Sequence, residues 1–310
     1  MSSDLPSFSP ARPPSGWRLA SDPAQSGQSA PLERGLYVVS TPIGNLRDVT
    51  LRALDVLAGV EEILAEDTRI SRKLLDAYGI QTRLTSYHDH NGAVRRPELL
   101  SRLAGGAALA LISDAGTPLV SDPGFKLVRE AAEAGHAVRP IPGASALLAG
   151  LVVAGLPSDR FLFCGFLPPK STARRSALEA LAAIEATLVF YEAGRRLAPA
   201  LADMANVLGG SREVCLAREL TKRFEEVRRG RLADAATLLG GEAPPKGELV
   251  VLIGPPDGPA VSSEDIDAAL GRLLPEVATK DAARQVAAAL GLPKRAVYQR
   301  ALALKSDEPS

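Results

Sequence analysis

The sequence predicts an α/β protein built from two unequal α/β domains and a small C-terminal helical extension, and three observations carry that prediction. Short β-branched runs at 36–39, 63–65, 109–112 and 138–141 alternate with helix-period segments such as 51–57 and 125–134. That alternation builds a parallel sheet with crossover helices. A second set of strand-like runs, at 161–165, 187–191, 213–217, 225–229 and 248–253, follows Leu156-Pro157-Ser158. Finally, 310 residues, 46% of them hydrophobic, exceed one comfortable core, so two domains plus tails is the natural partition.

Taken in order, residues 1–34 are rich in Ser, Pro and Ala without a sustained apolar period, which predicts a disordered tail that keeps Trp17 out of the core. The first domain spans 35–157. Within it the apolar run 109–112 empties into SDAGTPLVSDPG at 113–124 and then into an amphipathic helix pattern. Two glycines, two prolines and two Ser-Asp pairs at the carboxyl end of a buried strand supply exposed amides, acceptors and fixed turns, where open α/β sheets place their ligands. The plainer alternative is a tight strand-to-helix connection with Asp122 only capping the next helix. The second domain spans 158–255. Its run FEEVRRGR, from Phe224 to Arg231, leaves no room for a crossover helix, so part of this sheet is expected to be antiparallel. Residues 256–310 form a linker, PPDGPA, and an Ala- and Leu-rich helical extension that pauses at Gly291-Leu292-Pro293. Its last two helices have helix-turn-helix spacing, with Lys294, Arg295 and Arg300 on the second, although an α-hairpin packed on a neighbour fits the same pattern.

Composition narrows the function. Basic and acidic residues balance at 36 each, which argues against a whole-surface nucleic-acid binder but leaves room for a local basic face. Cys164 and Cys215 indicate neither a disulfide framework nor a zinc knuckle. With no apolar stretch of bilayer length and no signal-like apolar core, no membrane association and a cytoplasmic location are expected. After the first strand Pro42 and Gly44 stand where a G-x-G-x-x-G platform would be, so a nicotinamide enzyme is disfavoured.

The segment LYVVSTPIGNLRDVTLRAL (36–54) resembles the opening of the tetrapyrrole methylase superfamily, S-adenosylmethionine enzymes unlike the usual Rossmann-type methyltransferases. STPIGNL, AEDTR (65–69), SYHDHN (86–91), SDAGTPLVSDPG, PIPGASA (140–146) and FYEAGRRL (190–197) together look like one branch of it, whose members methylate a cytidine ribose 2′-hydroxyl of small-subunit ribosomal RNA. The similarity covers about residues 35–305. It implies a ligand cleft between the two α/β domains, S-adenosylmethionine folded within it, and a homodimer. The implied donor-binding residues are Pro42, Ser113, Asp114, Ala115, Gly116, Thr117, Pro118, Ser145 and Ala146 on the first domain and Tyr191, Ala217, Lys246 and Gly247 on the second. Physically, 113–117 offers the close backbone approach, hydroxyl acceptors and small bulk that such a donor needs, while Ser145 can equally serve only to start a helix. The same superfamily leaves C-methylation of a tetrapyrrole as the alternative reaction.

Methyl transfer is an in-line displacement at a carbon already activated by sulfonium charge, so alignment and exclusion of water dominate and no metal is required. A ribose hydroxyl still gains from a base, for which Asp67 and Glu192 are candidates. Glu66 and Arg69, with Arg72 and Lys73, follow the second strand and suit a sugar-phosphate, or else a solvated helix start. His88, His90 and Asn91 are assigned to hydrogen bonding with substrate or with the helix cap, since a metal at His88-Asp89-His90 lacks a third well-separated ligand and Asn91-Gly92 reads as a turn before a helix. Basic clusters at Lys170 with Arg174-Arg175, at Arg195-Arg196 and along 218–231 are candidate tracks for the backbone of small-subunit ribosomal RNA, or simple surface decoration.

Overall fold

The computed structural model describes residues 32–239, 247–256, 263–290 and 292–306, so the expectation for residues 1–31 and the donor-site residue Lys246 lie outside the described residues. The chain forms two compact units, Met1–Pro256 and Asp257–Ser310.

The first lobe of the larger unit holds β1 (Gly35–Val39), α1 (Leu51–Gly59), β2 (Glu62–Ala65), α2 (Thr68–Ala77), β3 (Arg83–Ser86), α3 (Asp89–Ala104), β4 (Ala108–Ile112), α4 (Phe125–Glu133), β5 (Val138–Ile141) and α5 (Ala146–Ala154). The strands are all parallel in the order β3-β2-β4-β1-β5. Both faces are covered. Val39, Ile63, Ala110 and Ile112 pack with Leu54 and Leu57 of α1 and Leu75 of α2 on one side. Leu36, Leu64, Leu109 and Leu111 pack with Leu99 of α3 and Leu127 of α4 on the other. Burial on both faces makes these strands read as continuous apolar runs. The short polar strand β3, Arg-Leu-Thr-Ser at the sheet edge, has no such run and is absent from the sequence prediction.

The second lobe holds β6 (Phe161–Phe166), α6 (Ser171–Glu179), β7 (Thr187–Ala193), α7 (Gly194–Leu208), β8 (Glu213–Arg218), β9 (Glu226–Arg231), α8 (Ala235–Leu238) and β10 (Glu248–Ile253). Its order is β6-β7-β10-β8-β9, with β6 and β7 parallel and the other pairs antiparallel. The β8–β9 hairpin is the antiparallel element expected from FEEVRRGR. One face buries Leu188, Phe190, Leu216 and Val251 under Leu197, Leu201 and Met204 of α7. The opposite face, through Val189, Cys215, Val250 and Leu252, packs on Leu151 and Ala154 of α5. Helix α5 therefore joins the lobes, and closely: a Cβ at Gly150 would lie 2.9 Å from Val250 Cγ1.

The smaller unit contains α9 (Ser263–Leu273), α10 (Thr279–Leu290) and α11 (Lys294–Ser306). Leu270, Ala282, Val286, Val297 and Ala301 form its core. Arg300 Nε donates to Asp267 Oδ1 at 2.7 Å, while Lys294 and Arg295 are exposed at the start of α11.

Candidate active site

Chain order puts the site where it is. From β1 the chain moves to one side, towards β2, and from the adjacent β4 it moves to the other, towards β5. Their following loops diverge, leaving a crevice at the carboxyl ends of the strands, the place where open α/β sheets bind ligands. Three loops are knit around it. Thr41 and Gly116 exchange backbone hydrogen bonds at 2.8 and 3.0 Å. The Thr41 hydroxyl donates to the Ser113 carbonyl at 3.1 Å, and the Thr117 hydroxyl donates to the Ala144 carbonyl at 3.1 Å. Gly116 is left-handed, with φ 82°, and a side chain there would press on Ile43, so glycine lets the loop backbone face the crevice bare.

The second lobe closes the opposite side. Tyr191, at the end of β7, offers its hydroxyl oxygen to the Leu147 backbone N–H at 3.1 Å, which caps α5 and ties the lobes together. Phe163 and Phe166 pack edge-on against the Tyr191 ring, at 4.8 and 5.6 Å between centroids. The cleft between the lobes has a volume of about 390 Å³ and is lined from the first lobe by Ile43, Glu66, 114–117, 120–122, Ser145 and Ala146, and from the second by Phe166, 191–193, Ala217, Glu219, Leu220, Lys222 and 248–250. That size suits a small organic ligand.

Two features mark the cleft as functional rather than merely concave. Among the described residues, the non-glycine positions with positive φ are Leu119 (73°), Ser121 (67°), Glu219 (49°) and Thr221 (65°). They fall in two loops, one on each lobe, and both loops line the cleft. Each such position costs about 1 to 3 kcal/mol and persists where the surroundings enforce it, typically at sites. The second feature is charge. Among the described residues Glu66, Asp114, Asp122, Glu192, Glu219 and Glu248 line the cleft against one cation, Lys222, whose ammonium donates to Glu219 at 3.0 Å and Glu248 at 3.4 Å. Burial, reinforced by the Glu66 charge, pushes the Asp122 carboxyl up to about 6, with a Ser113 hydrogen bond pulling partly back and Asp114 adding to the rise. Glu66 and Asp114 are raised as well, each first by burial. Glu192 is 2% exposed; its Oε1 accepts the Ala193 N–H at 2.9 Å and faces Arg196 Nε at 3.2 Å, while Oε2 has no hydrogen-bond partner among the described residues. A buried acceptor without a donor is the kind of group a ligand satisfies.

The structure brings together many of the expected residues: Asp114, Ala115, Gly116, Thr117, Ser145, Ala146, Tyr191, Ala217, Glu66 and Glu192 all line the cleft. Pro42 and Ser113 are buried just behind it, supporting the loops. Pro118 and Gly247 fall outside the lining, Gly247 lying beside the Glu219 carboxylate.

Other expectations land elsewhere. Asp67 is the N-cap of α2, accepting the Arg69 N–H at 2.8 Å and pairing with its guanidinium at 2.6 Å. Those hydrogen bonds hold its carboxyl down at about 2, which suits a cap and not a base. Arg69, whose side chain is 88% exposed, pairs with Asp67 at the surface. His88, His90 and Asn91 belong to the start of α3, where the Asn91 side chain accepts the His88 N–H at 2.9 Å and donates to the Ser86 carbonyl at 3.1 Å. Asn91-Gly92 is thus the first turn of a helix and not a turn before it. Arg196 is bound to Glu192 and to the Leu167 carbonyl, leaving Arg195 exposed. Arg174 is buried against Asp203, and Arg218 and Arg228 both pair with Glu226, so much of the basic decoration is internal bonding. Sequence reasoning missed Phe166, Glu219 and Lys222, and its helix-cap alternative for Asp122 fails because Gly124 holds the N-cap of α4.

This doubly lobed architecture with a cleft at the switch point is that of the tetrapyrrole (corrin/porphyrin) methylases, whose family model matches residues 35–236; residues 260–305 match that of the RsmI C-terminal HTH domain. The chain is 53% identical over 275 residues to the ribosomal RNA small subunit methyltransferase I of Mesorhizobium japonicum, covering 89% of this chain and 94% of the relative. It is 48% identical over 271 residues to the protein of that name from Pseudomonas aeruginosa, covering 86% and 96%. Uroporphyrin-III C-methyltransferase from Thermus thermophilus, solved in complex with S-adenosyl homocysteine, shares the fold with a TM-score of 0.50 and 19% identity over 70% of this chain and 96% of that one. The chain belongs to the ribosomal RNA small subunit methyltransferase I family within the tetrapyrrole methylases.

Proposed function

We propose that this protein transfers the methyl group of S-adenosylmethionine to the ribose 2′-hydroxyl of a cytidine in small-subunit ribosomal RNA, acting in the cytoplasm as a homodimer on a ribosomal particle. The observation that carries the reading is the cleft's excess of carboxylates around a bare glycine loop. S-adenosylmethionine supplies a methyl carbon activated by positive sulfur. The residues present fit it: the loop 114–117 and Ala146 permit close approach, the carboxylates favour a cation, and Glu192 Oε2 is an acceptor in want of a donor. The same wall repels phosphate, so the RNA backbone must run along the rim while one sugar enters. Exposed Arg195 and the tip of the β8–β9 hairpin, where the Arg223 guanidinium lies 5.5 Å from the centre of an exposed Phe224 ring, suit phosphate pairing and base stacking.

Dimerisation is supported by exposed apolar side chains on α5 (Leu148, Val152) and on the edge strand β6 (Phe161, Leu162, Phe166), a surface that favours burial. Among the described residues no helix is long and apolar enough to cross a membrane. Relatives near 50% identity carry the ribosomal RNA name, whereas the tetrapyrrole enzyme, at 19%, shares the fold. The test is incubation with methyl-labelled donor and unmethylated small subunits, followed by nucleoside analysis. Label in 2′-O-methylcytidine is expected; label reaching only a uroporphyrinogen supplied in parallel would refute it.

A further inference from the structure

We propose that Asp122, presented by the strained loop between β4 and α4, is the carboxylate that takes the ribose proton during methyl transfer. The assignment rests on the reading above, that donor and ribose meet in this cleft. Asp122 is well placed for the role. It follows left-handed Leu119 and Ser121 and lines the cleft where the two lobes come together, with the Ser121 hydroxyl 3.5 Å from the Cβ position of Gly165 on β6. Its charge is felt at Tyr191 across the cleft. Glu66, by contrast, interacts with Asp114, Asp89, His88 and Asp67, all on its own lobe.

Glu66 apart, each of the other carboxylates of the cleft has a partner. Glu219 and Glu248 are held by Lys222, and Asp114 accepts the Asp67 N–H at 3.0 Å. Glu192 is held through Oε1 by the Ala193 amide and Arg196, with Oε2 available to hold a ligand donor. That orphaned, buried oxygen is the independent mark of a ligand in the cleft that Asp122 lines. The groups facing Asp122 are Ser113, Glu66 and Asp114 on its own lobe and Tyr191 on the other. Burial among them lifts its carboxyl to about 6, so it is ionised near neutrality and more basic than an exposed aspartate, as proton transfer there needs.

The step balances. The 2′-oxygen forms a bond to the methyl carbon as the carbon–sulfur bond breaks; the bonding pair stays on sulfur, whose positive charge is cancelled, and the O–H proton passes to the Asp122 carboxylate.

The experiment compares wild type, Asp122→Asn and Asp122→Glu on unmethylated small subunits from about pH 5 to 9, on either side of the shifted carboxyl, with S-adenosylhomocysteine affinity measured by calorimetry and folding checked by circular dichroism. Asp122→Asn is expected to lower kcat roughly 100-fold or more, to abolish the rise in rate through about pH 6, and to change S-adenosylhomocysteine affinity by less than about threefold. Asp122→Glu, which restores the charge, should recover part of the rate. Equal loss of S-adenosylhomocysteine affinity would make Asp122 a donor-binding residue and overturn the assignment, as would an unchanged rate and pH profile in Asp122→Asn. A wild-type chain that labels no ribosomal RNA would overturn the proposed function, and this assignment with it.

Discussion

Gly116 and Asp122 stand on one loop and, in the proposed function, carry different halves of the chemistry. At Gly116 the left-handed backbone and the nearness of Ile43 leave no room for a branched side chain. Gly116→Val should therefore weaken S-adenosylhomocysteine binding at least about tenfold by calorimetry, with the lobes still folded by circular dichroism. At Asp122 the raised carboxyl has a consequence for stability as well as for rate. A folded-state value of about 6, above the unfolded one, means that ionising Asp122 costs the native state more than the unfolded chain, so its contribution is favourable in acid and is lost as pH rises through about 6. Asp122→Asn should raise the thermal midpoint relative to wild type at about pH 8 and lose that advantage by about pH 4; the reverse order in thermal melts would contradict the placement of this carboxyl. Glycine at 116 is legible in the sequence because glycine and proline punctuate loops so strongly. Asp122 is legible only as part of that loop: its Ser-Asp-Pro-Gly run before a helix fits a cap as well, and only the fold shows Gly124 taking that place. Asp67 misleads in the opposite sense, since an acid beside arginines resembles a site until its own helix claims it.

Among the elements, the inner strands β1, β2 and β4 are visible in the sequence because burial on both faces makes them largely apolar, while β3, polar and at the edge, has no signature. Helix α5 illustrates a subtler limit. Its apolar character says that it is buried, but not that it belongs to two cores, one end beside the donor loops and one face on the second sheet. The cap from Tyr191 fastens that arrangement. Tyr191→Phe removes the acceptor for the Leu147 N–H and should destabilise the protein by about 1 kcal/mol, read as a lower urea midpoint, and should weaken S-adenosylhomocysteine binding as the start of α5 loosens. A variant with unchanged stability and affinity would show that the lobes are held without this bond.

For the molecule as a whole, near-zero net charge hides a separation: carboxylates collect inside the cleft, while exposed Arg195 and Arg223 lie outside its lining. Basic clusters in the sequence overstate the RNA surface, because Arg174, Arg218 and Arg228 are bonded within the fold, and a linear reading has no means of telling an internal partner from a phosphate. Arg195→Glu should weaken binding to ribosomal particles and reduce the steepness of its salt dependence, and Phe224→Ala should weaken it by about 1 to 3 kcal/mol through the loss of base stacking; salt-independent affinity would remove the rim from the interface. The separation of charge matters because the proposed function needs one molecule to hold a cation within and a polyanion without. Its most direct test is a crystal structure with S-adenosylhomocysteine. The ligand is expected between the lobes, against 114–117 and Ala146 on one side and Tyr191 and Ala217 on the other, with a donor group on Glu192 Oε2; density for it away from this cleft would contradict the assignment of the site.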